Sequence, residues 1–222
     1  MAVDLGIINT AVTVDSDGCS TVYSGKQVLA VQHYFSKERA KLQSVLAMQD
    51  PKRRHSRALD VLKRKQSRQI NQGLHSYSTD IVRDCVAKNV KVLVVGDLSN
   101  IRKGKDWGGK SNLKLHSWSF SKFTQQLEYK AVRVGIRFVR VNERDTSRTC
   151  SCCGLVRKAN RVHRGMYRCR CGNLMNADVN GAVNILKKYL QPMLGRSIGD
   201  VASPSVKRLR NVVPNVREAH TF

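Results

Sequence analysis

Two short cysteine clusters constrain this chain more than any other feature. Cys150-Ser-Cys-Cys153-Gly154 and Cys169-Arg-Cys171-Gly172 bracket a loop of fifteen residues. Two pairs around a loop of this length form a zinc ribbon, because four thiolates close a tetrahedron around Zn²⁺ at about 2.3 Å. The expected ligands are Cys150, Cys153, Cys169 and Cys171. Cys152 competes, since it would make a second C-x-C pair. His163 lies between the clusters but is unnecessary once four cysteines are in place. The glycine after each pair lets the backbone turn so that its N–H groups face the sulfurs. Five of the seven cysteines fall between 150 and 171, and in an intracellular chain such clustering indicates metal rather than disulfide. Cys19 and Cys85 stand apart and are expected in the core.

Charge narrows the partners. The 222 residues carry 40 Lys plus Arg against 16 Asp plus Glu, a formal net charge of +24. A polyanion, nucleic acid above all, is the expected partner. A 41% hydrophobic content argues against disorder. No run of about 18 apolar residues spans a membrane, and no charged-then-apolar leader opens the chain. The expected location is therefore the cytoplasm. Residues 51–72 hold eight Lys or Arg and one Asp. At that density a helix face is expected to meet phosphate backbone rather than solvent alone. Lys52, Arg53, Arg54, Arg57, Lys63, Arg64 and Lys65 are the candidates there, joined by Arg148 and Arg164 in the equally basic stretch 144–170.

The remaining pattern reads as a mixed α/β sheet. Residues 2–5, 10–14 and 20–24 form an antiparallel meander, with a turn signal at Asp15-Ser-Asp-Gly18. Helical spacing runs from about 36 to 87, interrupted at Pro51. Residues 90–98 are almost continuously apolar, the mark of a central, buried, parallel strand. A Gly/Lys/Asn-rich loop follows at 99–112. Then come a helix at 115–134, stopped by Gly135, a strand at 136–142, and a last helix at 177–190. The tail from 191 carries three of the four prolines and is expected to pack loosely or act as a linker. This order is that of an RNase H-like fold with a zinc insert.

In a chain so poor in acids, each carboxylate beside a core strand stands out. Asp4 ends the first strand and Asp178 opens the last helix. Phosphodiester hydrolysis uses divalent cations that activate water and stabilise the leaving oxygen, and two ions about 3.5–4 Å apart do both. Mg²⁺ takes hard oxygen ligands and keeps several waters, so a few carboxylates suffice. A third acid is expected at the end of strand 90–98, but Gly96 occupies that position. Asp97 is adjacent, although strand alternation turns it to the opposite face. Glu143 ends the next strand and reaches the same edge if the two strands are parallel neighbours. Gly96 would then leave room for the longer side chain. Both acids remain open at this point; the alternative for Glu143 is a surface pair with Arg140 or Arg144. Glu128 reads as a surface acid.

These pieces together carry a resemblance. Val3-Asp-Leu-Gly6, Val94-Val-Gly-Asp-Leu98, Thr146-Ser-x-x-Cys-x-x-Cys-Gly154, Cys169-x-Cys-Gly172 and Asn176-x-Asp-x-Asn-Gly-Ala182 occur in the order of one known family. Residues 2–190 resemble the C-terminal half of the transposon-encoded TnpB (OrfB) family, whose members are similar to the type V CRISPR effector nucleases. The resemblance implies a RuvC-type, RNase H-like endonuclease with an inserted zinc ribbon that binds target nucleic acid. It also implies Mg²⁺-dependent cleavage of DNA directed by a guide RNA. Asp4 matches the first catalytic Asp and Asp178 the third carboxylate. The usual middle Glu is Gly96 here, and a branch with Gly in that place has a Glu before the Thr-Ser-x-x-Cys motif, which is Glu143.

The expected organisation is a first nuclease part over 1–145, with a basic helical insert at about 36–88. A zinc-ribbon insert follows at 146–173, then the last nuclease helix at 174–190 and a tail at 191–222. Family members carry an N-terminal module that grips guide RNA. Met1 lies only three residues before Asp4, so the expectation is an N-terminally truncated nuclease. The competing expectation is a catalytically inactive DNA- or RNA-binding regulator. Gly96 favours the latter, and retention of Asp4, Glu143 and Asp178 disfavours it.

Overall fold

The computed structural model describes residues 1–50, 52, 54–98, 120–163, 165–191, 198 and 201–209. The meander forms as its alternation requires: β1 (Ala2–Leu5), β2 (Asn9–Val14) and β3 (Ser20–Ser24) pair antiparallel. Two helices follow. α1 (Lys26–Gln49) begins ten residues before the sequence pattern suggested, because Val28, Val31 and Phe35 already recur at helical spacing and are buried. α2 (Arg57–Ala87) starts at Ser56, whose side chain accepts from the Leu59 N–H at 3.2 Å and caps the helix. β4 (Val92–Asp97) is the apolar strand read from 90–98. α3 (Phe120–Arg133) leads through Gly135, at φ 76°, into β5 (Arg137–Asn142). The expected loop at 99–112 and the first turn of the helix expected from 115 lie outside the described residues.

The ribbon adds three short strands, β6 (Arg161–His163), β7 (Met166–Arg168) and β8 (Leu174–Met175), in one small antiparallel sheet. α4 (Ala177–Leu190) has the bounds read from the sequence. The tail is the main departure. Ser205–Lys207 form β9, parallel to β3 at the edge of the main sheet. Thr21 and Ser205 hydroxyls meet at 2.9 Å, and Lys207 Nζ pairs with Asp80 at 2.7 Å. A segment of three residues anchored by side chains leaves no periodicity from which a strand could be read. Cys19 is a second departure: it is exposed in the β2–β3 turn, while Cys85 is buried.

The main sheet has the order β5-β4-β1-β2-β3-β9, and β2 alone runs against the others. This is the mixed sheet of an RNase H-like fold. It separates two apolar layers. Val3, Leu5, Leu93 and Val95 face the α1, α2 and α3 side, with Val31, Leu74, Ile81, Phe123 and Leu127. Ala2, Val12, Val14 and Val94 face α4, against Val179, Val183, Ile185 and Leu186. β4 feeds both layers, which explains its unbroken apolarity. No helix among the described residues is long and apolar enough to cross a membrane.

Candidate metal centres

β4 and β5 are parallel neighbours, with Gly96 opposite Val141 and Asp97 opposite Asn142. Glu143 therefore leaves the end of β5 beside Gly96, and its side chain folds over that glycine. A Cβ added at Gly96 would lie 2.5 Å from both Cγ and Cδ of Glu143, with Oε1 closer still. Real Cβ atoms do not tolerate such an approach, so the absent side chain is what admits the glutamate. A second glycine does the same for Asp4. Gly181 sits one helical turn after Asp178 on α4, and a Cβ there would come within 2.6 Å of Asp4 Oδ2. The sequence reading passed over Gly181, although a glycine inside a helical pattern is a signal of close approach.

Asp178 stands in the first turn of α4, where the exposed N–H groups favour an anion. Asn176 caps that turn, accepting from the N–H groups of Asp178 at 2.9 Å and Val179 at 3.2 Å. Asp178 Oδ2 accepts from Asn9 Nδ2 at 2.8 Å, and Oδ1 pairs with Arg161 Nη2 at 2.9 Å.

The three acids thus come from β1, the end of β5 and the start of α4. Their electrostatics show how close they are. Burial first, then the charges of Glu143 and Asp178, push the Asp4 carboxyl well above the carboxylate range, against Arg161 and the Leu5 backbone. Burial and then the charge of Asp97 push Glu143 up to about 7, against Lys188. Glu143 Oε1 is buried with no hydrogen-bond donor. An unpartnered buried carboxylate oxygen is costly to leave unpaired. Oxygen-only donors, crowded and unsatisfied, are the set a hard divalent cation takes. Asp97 is exposed at the end of β4, and its charge raises Glu143. Glu128 pairs at 2.6 Å with Arg140, which removes that arginine as a partner for Glu143.

The second centre is the cysteine cluster. Sγ atoms of Cys150, Cys153, Cys169 and Cys171 all lie within 4.8 Å of one another. Cys150 is 3.7 Å from Cys171, and Cys153 is 3.6 Å from Cys169. A tetrahedron with metal–sulfur bonds of about 2.3 Å has edges of about 3.8 Å, so the cluster can hold a metal such as zinc. Gly154 at φ 75° and Gly172 at φ 90° make the two turns. Their N–H groups bond back to the carbonyls of Cys150 and Cys169 at 2.9 and 3.1 Å. Although desolvation opposes it, donors from the Cys153 backbone, Asn173 and the Cys152 backbone bring the Cys150 thiol down to about 6. Against the Asn173 backbone, desolvation and the neighbouring thiols push Cys171 up to about 12. Without a cation the four sulfurs cannot all be thiolates. Cys152 and His163 are exposed and stand outside the cluster; His163 Nδ1 accepts from the Gly165 N–H.

One motif ties the two centres together. Asn180 accepts from the Ser151 N–H at 3.0 Å and donates to the Thr149 carbonyl at 2.8 Å. Asn184 donates to the carbonyls of Thr146 and Thr149 at 2.8 and 2.7 Å. Lys187 donates to the Ser151 carbonyl. The polar positions of Asn176-x-Asp-x-Asn-Gly-x-x-Asn184 therefore divide the work: cap, carboxylate, and two latches onto the first cysteine turn.

Of the basic candidates, Lys52, Arg54, Arg57, Lys63 and Arg64 are exposed, and Lys65 is half-buried. Arg148 is exposed and 3.7 Å from Asp145. Arg53 and Arg164 lie outside the described residues.

An RNase H-like sheet with three converging acids and a four-cysteine insert defines the class of the protein. Residues 1–102 match the family described as "Probable transposase" (OrfB_IS605), and residues 120–185 match "Cas12f1-like, TNB domain". The chain is 33% identical over 125 residues to the CRISPR-associated endodeoxyribonuclease Cas12f1 of Sulfoacidibacillus thermotolerans, covering 56% of this chain and 28% of that protein. It is 26% identical over 224 residues to TnpB-like protein ORF457 of Acidianus two-tailed virus, covering 98% of this chain and 46% of that protein. The cryo-EM structure of a Cas12f1–sgRNA–target DNA complex shares the fold, with a TM-score of 0.62 at 19% identity, over 82% of this chain and 48% of that one. The two family matches together place most of this chain beside TnpB-like and Cas12f proteins, to which it is similar. It spans less than half the length of each of these relatives.

Proposed function

We propose that this chain carries the nuclease centre of an RNA-guided DNA endonuclease, with Asp4, Glu143 and Asp178 as its Mg²⁺ ligands. The observation that supports this most is the fit of Glu143 into the space above Gly96. It restores a third acid to the site at the position where β4 lacks one. Asp4, Glu143 and Asp178 would hold Mg²⁺, which would activate a water for attack on phosphorus and offset the charge developing on the departing 3′ oxygen. The residues of this chain do the rest. Burial raises both Asp4 and Glu143, the charges of Glu143 and Asp178 raise Asp4 further, and that of Asp97 raises Glu143, so a bound cation would favour their ionised forms. Lys188 holds the carbonyls of Asn142 and Arg144 and fixes the loop that carries Glu143. Asn180 and Asn184 keep the ribbon beside the carboxylates, where it would guide a nucleic-acid strand toward them. Zn²⁺ in the ribbon is structural, since all four positions are taken by cysteine.

The basic face of α2 has a separate place in this reading. Lys63, Arg64, Arg68, Asn71 and His75 line one open groove along it. α2 packs on the opposite side of the sheet from α4. A strand at the carboxylates cannot lie on this face at the same point, so α2 would hold another segment of a guide RNA–DNA complex by its backbone. In this reading the domain organisation is a nuclease core at 1–145 and 174–190 split by the ribbon at 146–173, with a tail at 191–222.

Cleavage of single-stranded DNA by zinc-loaded protein tests the reading, with Mg²⁺, without Mg²⁺, and in Asp178→Ala. Cleavage that needs both Mg²⁺ and Asp178 is expected. Salt-sensitive binding with no cleavage, in the presence of a family guide RNA, would instead favour a binding-only regulator.

A further inference from the structure

β2 contains a bulge. Asn9 is opposite Ser24, yet Ala11 is opposite Tyr23, so two residues of β2 meet one of β3. The consequence is a reversed side chain. Val12 and Val14 face α4, whereas Ala11 faces the other apolar layer. Strict alternation would send Asn9, like Ala11, away from α4. Instead its amide donates to Asp178 Oδ2 on α4 at 2.8 Å. Bulges beside functional sites re-aim a side chain in this way.

The bond is also selective between the two oxygens of Asp178. Asn9 comes from the main sheet and takes Oδ2; Arg161 comes from the ribbon and takes Oδ1. Asn9 stands on the strand next to β1, which carries Asp4, and so belongs to the same rigid frame as the first carboxylate. An amide donor is neutral and cannot compete for a cation. A side chain of this type fixes a carboxylate without cancelling its charge.

We infer that Asn9 is a positioning residue: the β2 bulge aims its amide at Asp178 Oδ2, which fixes the carboxylate from the sheet side, and a divalent cation would meet Oδ1 by displacing Arg161. The inference rests on the carboxylate-site reading above. It goes further by assigning a role to a residue outside the acid triad, one that acts through Asp178 alone. Partners of this kind typically change metal affinity or activity by about 10–100-fold.

The test has two arms. In metal-free, zinc-loaded protein, the Asn9 side-chain amide is followed by ¹H–¹⁵N NMR. Its signals are expected to be slowed in solvent exchange and to lose that protection in Asp178→Ala. The second arm is Mn²⁺ binding, followed by electron paramagnetic resonance without nucleic acid, for wild type, Asn9→Ala, Asn9→Asp and Asn9→His. Asn9→Ala is expected to weaken Mn²⁺ binding about tenfold or more. Asn9→Asp, equal in size but without the donor, should also bind weakly or should hold the ion in an altered environment. Asn9→His, which restores an N–H donor, should recover part of the affinity. Thermal melting of each variant checks that the fold is retained. An unprotected Asn9 amide in the wild type, or Asn9→Ala and Asn9→Asp with wild-type Mn²⁺ affinity and spectra, would overturn the inference. A protected amide in a wild type that binds no Mn²⁺ would overturn it too, and would locate the fault in the carboxylate-site reading rather than in the Asn9–Asp178 bond.

Discussion

Gly96→Ala should destabilise this protein, and the reason can be isolated. Glycine in a strand interior normally costs roughly 0.5–1 kcal/mol relative to alanine, so the substitution should ordinarily help. Here the new methyl would meet Glu143 Cγ and Cδ at 2.5 Å. The glutamate must then leave its place, and overpacking of this kind costs about 1–3 kcal/mol. In a Glu143→Ala background nothing occupies that space, and the same Gly96→Ala change should become neutral or stabilising. The intrinsic gain is common to both backgrounds and cancels, so the effect of the methyl should differ between them by about 1–3 kcal/mol. Urea unfolding of the four zinc-loaded proteins measures it, followed by a probe in the core sheet. Additive effects, with a coupling near zero, would mean that Glu143 does not sit over Gly96, and the relocated third acid would lose its basis.

Glu143 also sets a pH dependence in the Mg²⁺-free state. Burial and Asp97 raise it from 4.5 to about 7. A raised carboxyl contributes stability that is present below its unfolded pKa and is lost as pH rises through the folded value. Relative to wild type, Glu143→Gln should therefore gain up to roughly 3 kcal/mol between about pH 4.5 and pH 7.5, measured by melts with zinc held constant. No change in the difference between the two proteins across that window would contradict the buried placement of Glu143. Cys169→Ser should release zinc and unfold the ribbon while leaving the main sheet folded, because metal binding and folding are one equilibrium there. Bound zinc by elemental analysis and amide exchange over 146–173 read both; retained zinc with a protected ribbon would count against the assigned ligand set.

How much of this was legible beforehand depended on the kind of signal. β4 declared itself through unbroken apolarity, and α4 through its 3.6-residue period between Asn176 and Gln191. The four cysteines were readable because tetrahedral sulfur geometry dictates spacing, and their Sγ atoms do converge. Glu143 could be nominated because the parallel register of two strands fixes which residues share an edge. Other features left no local trace. β9 is held by hydroxyls and an ion pair to residues more than 120 positions away, which no periodicity records. Asn9 turns toward Asp178 because of a bulge that exists only once β2 and β3 are paired. Arg161 looked like one more cation in a basic stretch, and only the fold brings it to Asp178. Gly181 was visible as a glycine in a helix, but its neighbour, Asp4, lies 177 residues earlier in the chain.

The central claim is that Asp4, Glu143 and Asp178, and not Asp97, form the metal centre. The most direct measurement compares Glu143→Gln with Asp97→Asn in Mn²⁺ binding and in Mg²⁺-dependent DNA cleavage. Loss of a direct ligand should exceed the roughly hundredfold effect known for outer-shell partners, so Glu143→Gln should lose both properties by more than that. Asp97→Asn should keep both within a few-fold. Wild-type metal binding and cleavage in Glu143→Gln, with loss of both in Asp97→Asn, would contradict the account.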